Sequence, residues 1–519
     1  MPVTTPRTSR HLEVERKFDV VESTVSPSFE GIAAVAHVEK SPIQTLDATY
    51  FDTPTQDLAR NKITLRRRTG GTDAGWHLKL PAGPDARTEV RAPLDAAGPG
   101  GQDTVPDELV DVVLAIVRDR PLQPVARITT QRETQVLYGA DGSALAEFSN
   151  DHVTAWAAGA ADGSGPPREE QEWREWELEL AENPESNGRA DAELLNRLSN
   201  RLLDAGAAPA GHASKLARVL GTTPQPNGLR LVEEPLQRAV AEQVGALLVW
   251  DRAVRADADD SIHQMRVTTR KLRSLLKDYQ DAFGLPDDGW VLDELRELAG
   301  ILGGARDAEV LAERYEKALD GLTPELVRGP VRERLVGGAQ RRYETGLRRS
   351  LIAMRSQRYF RLLDALDALV AHAPTPVAGE ELAPVTIDAA YKKVRKAAKA
   401  VQGVPPVGLE GPAAEHERDE AIHRIRKRAK RLRYTAAATG ADKVSEQAKA
   451  IQSLLGDHQD SVVSREHLRQ EAEAAHAAGE DTFTYGLLYQ QEEDLADRCR
   501  ERLDDTLRKL SKSVRKAGH

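Results

Sequence analysis

"HLEVERKFDV", residues 11–20, alternates strictly. Leu12, Val14, Arg16, Phe18 and Val20 fall on one side of a strand, and His11, Glu13, Glu15, Lys17 and Asp19 on the other. An ordinary solvated face is mixed, whereas this one lines up carboxylates and a lysine. The same period recurs near 44–52, 62–69, 75–80, 86–93, 124–138, 144–156 and 171–181. Turn-forming stretches separate several of these segments, including "TGGTDAG" (69–75), "GADG" (139–142) and "AADGSGPP" (160–167), which predicts antiparallel hairpins. Helices are predicted over 106–118 and 190–205.

From about residue 229 the alternation gives way to apolar residues at three- and four-residue spacing, as in "LQRAVAEQVGALLVWDRAV" (236–254), so this part reads as helical. "GTTPQPNG" (221–228) reads as a linker, and "HAPTPVAGEELAP" (372–384) divides the helical part. "SIHQMRVTTRKLRSLL" (261–276) aligns without gaps on "AIHRIRKRAKRLRYTA" (421–436) at an offset of 160 residues. "LGGARDAEV" (302–310) echoes "LGDHQDSVV" (455–463), and duplication of one helical unit explains both matches.

The 519 residues, 40% of them hydrophobic, suffice for several cores. The single Cys499 excludes an intramolecular disulfide and fits a reducing compartment. "MPVTTPRTSR" lacks the apolar core of a secretory signal, and no run approaches the roughly 18 apolar residues of a membrane span, so a cytoplasmic location and no membrane partner are expected. A net charge of -10 argues against indiscriminate nucleic-acid binding. Basic runs such as "YKKVRKAAK" (391–399) and "HRIRKRAKRLR" (423–433) still permit a local polyanion site.

Charges are sorted strand by strand. Arg66 and Arg68 share a face, as do His77 and Lys79, and Arg87, Glu89 and Arg91. Glu147 and Asp151 share another, and Glu175, Glu177 and Glu179 form an acidic row. Taken singly, each row fits a solvated strand face. Together they fit a closed barrel that turns them inward, where clustered carboxylates repel unless a cation lies between them. Carboxylates for Mg²⁺ with Arg and Lys for phosphate oxygens are the equipment of phosphoryl transfer.

"EVERK" (13–17), followed in order by "TLRRR" (64–68), "WHLKLP" (76–81), "RTEVR" (87–91), "LAEFSNDHV" (145–153), "EWELEL" (175–180) and "SKLARVL" (214–220), resembles the CYTH, or triphosphate tunnel metalloenzyme, superfamily. The resemblance covers residues 8–220 and implies an eight-stranded antiparallel tunnel with flanking helices that cleaves a triphosphate with Mg²⁺ or Mn²⁺. It assigns metal to Glu13, Glu15, Glu177 and Glu179, with Asp151 or Glu147 assisting. It assigns phosphate to Lys17, Arg66, Arg68, Lys79, Arg87, Arg132 and Lys215, with Arg132 preferred over Arg127. Glu13, Glu15, Lys17, Glu177 and Glu179 form the expected catalytic group, and Tyr50 and Asp52 of "YFDTP" are expected to be mainly structural.

On a helix His263, Arg266, Arg270 and Arg273 form one stripe, repeated by His423, Arg426, Lys430 and Arg433. Like charges at this spacing repel, so two such stripes favour an anionic partner. Zinc is disfavoured because neither histidine has a nearby ligand set. The paired "IHQMRVTTRKLR" and "IHRIRKRAKRLR", with "LGGARD", "RYFRLL" (358–363) and "LLGDHQD" (454–460), resemble the CHAD domain over residues 229–510. That resemblance implies two four-helix bundles, about 229–371 and 385–510, related by pseudo-symmetry and binding inorganic polyphosphate. Lys392, Arg395, Lys396, Lys399 and Lys427 would join the basic surface. Nucleic acid is the weaker ligand, because aromatic residues are only 4% and none interleaves the stripes.

The expected fold is therefore α+β and multidomain. The expected function is hydrolysis of inorganic tripolyphosphate beside polyphosphate binding, with association to polyphosphate granules as a corollary. The alternatives are a polyphosphate-binding scaffold without turnover, or a thiamine-triphosphatase, nucleoside-triphosphatase or adenylate cyclase activity of the tunnel.

Overall fold

The computed structural model describes residues 8–96, 104–158, 170–181, 188–221, 235–280, 283–285, 289–371, 386–402 and 412–517. The linker expected at 221–228, apart from Gly221, and the break at 372–384 lie outside them. The chain forms two compact units, residues 1–300 with 350–375, and 301–349 with 376–519.

The first unit opens with β1 (Ser9–Val20), β2 (His37–Lys40), β3 (Gln44–Asp52), α1 (Asp57–Arg60), β4 (Thr64–Thr69), β5 (Gly75–Pro81) and β6 (Ala86–Ala92). α2 (Asp107–Val117), β7 (Gln123–Tyr138), β8 (Ala144–Ala157), β9 (Gln171–Leu180), α3 (Gly188–Asp204), β10 (Ala208–Pro209) and α4 (Lys215–Leu220) follow. The strands run β1-β6-β5-β4-β3-β7-β8-β9, all antiparallel, and β9 pairs back onto β1. A closed eight-stranded barrel results, as the alternating segments predicted. β2 on β7 and β10 on β1 are additions that the alternation did not reveal.

Residues of one parity face out and are covered by helices. Phe51, Leu65, Trp76, Leu78 and Val90 pack under Leu109, Val113 and Ile116 of α2. Phe18, Phe148, Trp176 and Leu178 pack under Leu195, Leu198 and Leu202 of α3. Val14 and Val20 join the second cluster, whereas Leu12, of the same parity, is 55% exposed near the start of β1. Arg16 shares the outer parity because its guanidinium binds Asp85 (2.8 Å) and, on α3, Asn196 Oδ1 (2.8 Å) and Ser199 Oγ (3.2 Å).

The helical part comprises α5 (Pro235–Arg255), α6 (Ser261–Asp278), α7 (Trp290–Asp320), α8 (Gly338–Met354), α9 (Gln357–Ala371), α10 (Ile387–Gln402), α11 (Pro412–Ala438), α12 (Asp442–Ala477) and α13 (Phe483–Ala517). α6 lies in the first unit and α11 in the second. The repeat survives in their burial. Ile262, Met265, Thr269 and Leu272 are buried in α6, and Ile422, Ile425, Ala429 and Leu432 are buried at the matching positions of α11. No helix among the described residues is long and apolar enough to cross a membrane.

Leu178 is fully buried between the inward-facing Glu177 and Glu179. Leu178→Ala is expected to destabilise the barrel by about 2–5 kcal/mol, read as a lower urea midpoint at constant slope. An unchanged midpoint would show that this wall is not set by the outer core.

Candidate functional site

The barrel encloses a cavity of about 510 Å³. Glu13, Glu15 and Lys17 of β1, Arg66 and Arg68 of β4, and Lys79 of β5 line it. Arg87 of β6, Arg132 of β7, Glu147 of β8, Glu177 and Glu179 of β9, and Lys215 of α4 complete the sequence-derived set. Asp151 is absent from the lining and fully buried.

Strand register stacks these groups in layers, because directly opposed residues point to the same face. Glu15 stands opposite Glu179, which stands opposite Glu147. One step along, Lys17 opposes Glu177; a further step brings Glu175 opposite Asp151, which opposes Arg132 on its other side. The layers differ sharply in how completely their charges are matched.

Around Asp151 the matching is dense. Arg132 donates to both carboxylate oxygens of Asp151 (2.8 and 2.6 Å) and to Glu177 (2.5 Å). Asp151, Glu175 and Glu177 offer oxygens within 4.8 Å of one another, a spacing that could hold a metal ion. The Lys215 ammonium nevertheless lies 2.9, 2.7 and 2.8 Å from these three carboxylates. Lys215 begins α4, whose Ser214 cap accepts from the Ala217 N–H, so a short capped helix delivers the charge. Burial disfavours the Lys215 ammonium, yet its three carboxylates raise its pKa well above the usual lysine range. Burial likewise opposes ionised Glu177, but Lys17, Lys215 and Arg132 hold it well below the carboxylate range. The cation of this layer is thus a protein ammonium. In this structure the Asp151 oxygens are occupied by Arg132 and Lys215.

At the other end the matching is thin. Lys17 bridges Glu15 and Glu177 at 2.7 Å each, and Lys79 lies 2.5 Å from Glu13. Burial raises the Glu15 pKa, but Lys17 and Lys79 hold it at about 2. Glu179 makes no salt bridge among the described residues. Burial, against the weaker pull of Lys79 and with the repulsion of Glu13, Glu15 and Glu177, pushes it up to about 7. Exposed Glu147 extends the acidic group at the mouth of the cavity.

The facing wall has the opposite imbalance. Arg66 donates to the Tyr50 hydroxyl (3.3 Å) and has no carboxylate partner among the described residues. Arg68 pairs with Asp73, yet burial and then the neighbouring Arg66 and Arg132 pull its pKa down to about 9. Since guanidinium stays charged in proteins, this shift records burial first and then repulsion by Arg66 and Arg132, and a bound anion would offset both. Arg127 points away and pairs with Asp47 (2.6 Å), whereas Arg132 faces in.

Sequence reasoning left three contributors without a site role. Glu89 is fully buried, accepts from Arg91 and approaches His77 Nδ1 at 2.9 Å. Glu175 completes the Lys215 cradle, and Tyr50 orients Arg66. Glu89 and Glu175 stood in the sorted rows, so parity could have found both. Asp52 is structural: its carboxylate accepts from the Thr53, Leu58 and Ala59 N–H groups and holds α1.

In the helical part His263, Arg266 and Arg273 are half-buried on α6, and Arg270 is exposed. Arg266 reaches the Ala299 carbonyl (3.4 Å) and Arg273 that of Leu292 (3.0 Å). On α11 His423, Arg426, Lys430 and Arg433 are half-buried, Lys427 is exposed, and Arg433 donates to Gln452 (3.2 Å). Burial, then Lys427 and Arg426, disfavour protonation of His423. Lys392, Arg395, Lys396 and Lys399 are exposed on α10.

A family model of the CYTH domain matches residues 11–206, and one of the CHAD domain matches residues 238–469. Rv2226, an uncharacterized protein of Mycobacterium tuberculosis strain H37Rv, is 71% identical over 525 residues and spans 100% of both chains. Similar solved structures include PptA from Streptomyces chartreusis (21% identical, 53% of this chain, 98% of that one, TM-score 0.42). The CHAD domain of the plant Ricinus communis is 23% identical over 53% of this chain and 90% of that one, with a TM-score of 0.38.

The Glu179 carboxyl sits at about 7 in the fold against an ordinary 4.5. Between these values the unfolded chain binds fewer protons, so the folded state loses stability as pH rises, by about 3 kcal/mol in all. Melting temperatures in chelator are expected to fall from pH 4.5 to 7 more steeply in the parent chain than in Glu179→Gln, and Mn²⁺ is expected to restore the parent at pH 7. Identical pH slopes for the two chains would contradict the Glu179 assignment.

Proposed function

The chain belongs to the family that joins a CYTH domain to a CHAD domain, and from that premise we propose that its tunnel hydrolyses inorganic tripolyphosphate and its helical domain binds inorganic polyphosphate. The tunnel comprises residues 8–220, the helical domain residues 229–510. One observation carries the reading: one cavity sets Arg66, without a carboxylate partner among the described residues, and the crowded Arg68 against Glu179, which makes no salt bridge among them. A polyanion relieves the first and a divalent cation the second, and a metal triphosphate presents both in one linear substrate.

Glu13, Glu15, Glu177 and Glu179, with Glu147 or Asp151 assisting, would hold Mg²⁺ or Mn²⁺. Their all-oxygen donor set and the raised Glu179 pKa fit a hard cation. When bound, the ion supplies charge neutralisation and Lewis-acid polarisation of the phosphoryl group. Arg66, Arg68 and Arg132 bind phosphoryl oxygens, and Lys79 and Arg87 flank the acidic end, 2.5 Å from Glu13 and 3.5 Å from Glu15. Lys17 and Lys215 tie the acidic strands together and keep Glu177 ionised. Water attacks a terminal phosphorus in line, the bridging P–O bond breaks, and orthophosphate and pyrophosphate leave with the water's protons shared between them. No protein nucleophile is required.

The duplicated half-buried stripes, His263, Arg266 and Arg273 with His423, Arg426 and Arg433, support polyphosphate binding by the helical domain. The exposed Lys392, Arg395, Lys396, Lys399, Arg270 and Lys427 add charge, and, against the expectation that no aromatic interleaves the stripes, exposed Tyr434 lies beside Lys430 and Arg433. Such binding fits a cytoplasmic protein associated with polyphosphate granules.

Phosphate release from tripolyphosphate with Mg²⁺ or Mn²⁺ tests the tunnel. Glu13→Gln and Glu179→Gln are each expected to lower kcat by about 10² or more. Parent-level release in both variants would sink the metal assignment, and polyphosphate binding without hydrolysis of any triphosphate would favour the scaffold. For the helical domain, Arg426→Ala with Arg433→Ala is expected to weaken polyphosphate binding and reduce its salt slope by roughly one per lost phosphate contact. An unaltered slope would remove these arginines from the binding surface.

A further inference from the structure

α2 is covered on two sides, and both matter to the tunnel. Leu109, Val113 and Ile116 pack over Trp76 and Leu78 of β5, the strand whose alternate residue Lys79 lines the cavity. The opposite side is also closed, since Ala115 is only 2% exposed there. Asp111 on that side pairs with Arg355, which precedes α9, and α2 lies against α5. Just past the last turn, Arg118 places its guanidinium on both Asp364 and Asp367 of α9. Arg120 bridges Asp57 of α1 (2.9 Å) and Asp364 (3.7 Å). All of these residues belong to the first compact unit.

Arg118 is unusual in two ways. Its side chain is 5% exposed, although α9 presents the partner aspartates half-exposed at 54% and 53%. Its backbone has φ 59° and ψ -124°, a region that favours glycine. Holding a non-glycine residue there costs on the order of 1–3 kcal/mol, and such strain persists only where the surroundings over-determine it. Here the surroundings are the α2 C-terminus, where the Arg118 N–H donates to the Leu114 carbonyl, and the aspartate pair one helical turn long on α9.

We infer that Arg118 is a positioning residue for the tunnel: by fixing α2 between β5 and α9, it makes the placement of Lys79 depend on the helical domain. Trp76 and Leu78 alternate with Lys79 on one strand, so a shift of α2 moves the outer residues and rotates the inner one. The inference rests on the triphosphate reading of the cavity only for its catalytic consequence. The mechanical link to β5 stands apart from it.

The test uses the full chain in four forms: parent, Arg118→Gly, Arg118→Lys, and Asp364→Asn with Asp367→Asn. Arg118→Gly removes the guanidinium while suiting the backbone, and the asparagine pair breaks the same link from α9. Hydrogen exchange without ligand is expected to quicken about tenfold over residues 75–81 and 107–117 in Arg118→Gly and the asparagine pair, less in Arg118→Lys, and not over 188–204 on the far side. KM for tripolyphosphate is expected to rise about tenfold in the first two, with kcat within about twofold and partial recovery in the lysine variant. Unchanged exchange over 75–81, or an equal increase over 188–204, would overturn the positioning role. So would an unchanged KM in an active parent. A parent inactive on tripolyphosphate would overturn the tunnel reading, and exchange alone would then decide the role of Arg118.

Discussion

A closed barrel restricts the water available to its inward side chains, so a charge that points in is stabilised chiefly by a matching charge. This constraint orders the first unit. Eight strands of alternating pattern close on themselves, their outer parity is covered by α2, α3 and α4, and the inner parity carries the charges that line the cavity. Matching is thorough where Lys215 and Arg132 meet Asp151, Glu175 and Glu177. It is incomplete at Glu179 and at Arg66. Buried ion pairs are costly to assemble and add little net stability, so leaving one acidic and one basic region under-matched in the same cavity is best understood as room for a ligand carrying both signs.

The outer helices are more than lids. α3 is tied to β1 through Arg16, and α2 joins β5 to α9 through apolar packing on one side and ion pairs on the other. The strand that presents Lys79 is therefore supported from outside the barrel. The helical part follows a separate logic, in which one stripe of each helix supplies the core and the next presents half-buried arginines and a histidine in a duplicated register.

Most of the barrel was legible because closure requires alternation, and alternation is written residue by residue. All eight barrel strands and α2 and α3 fall where period and turn chemistry put them. β2 and β10 were not legible, since four and two residues are too short to display a period. Parity also named the inward residues, but it says nothing about depth. Glu147 and Asp151 share one face of β8, yet one is exposed at the mouth and the other fully buried. Register and the arrival of Lys215 from α4 decide the difference. Arg16 looked anomalous on an apolar face because its partners Asp85, Asn196 and Ser199 are distant in sequence. Leu12 obeys parity but is not covered. The Arg118 contact left no local signal, since neither its partners nor its backbone conformation can be read from "IVRDR".

The central claim is that one cavity holds a divalent cation and a phosphate chain side by side. Electron–nuclear double resonance on Mn²⁺ added to the full chain with tripolyphosphate tests it most directly. The account predicts one bound Mn²⁺ per chain with resolved coupling to ³¹P, and loss of that bound signal in Glu179→Gln. Bound Mn²⁺ without phosphorus coupling, or a signal indifferent to Glu179, would contradict it.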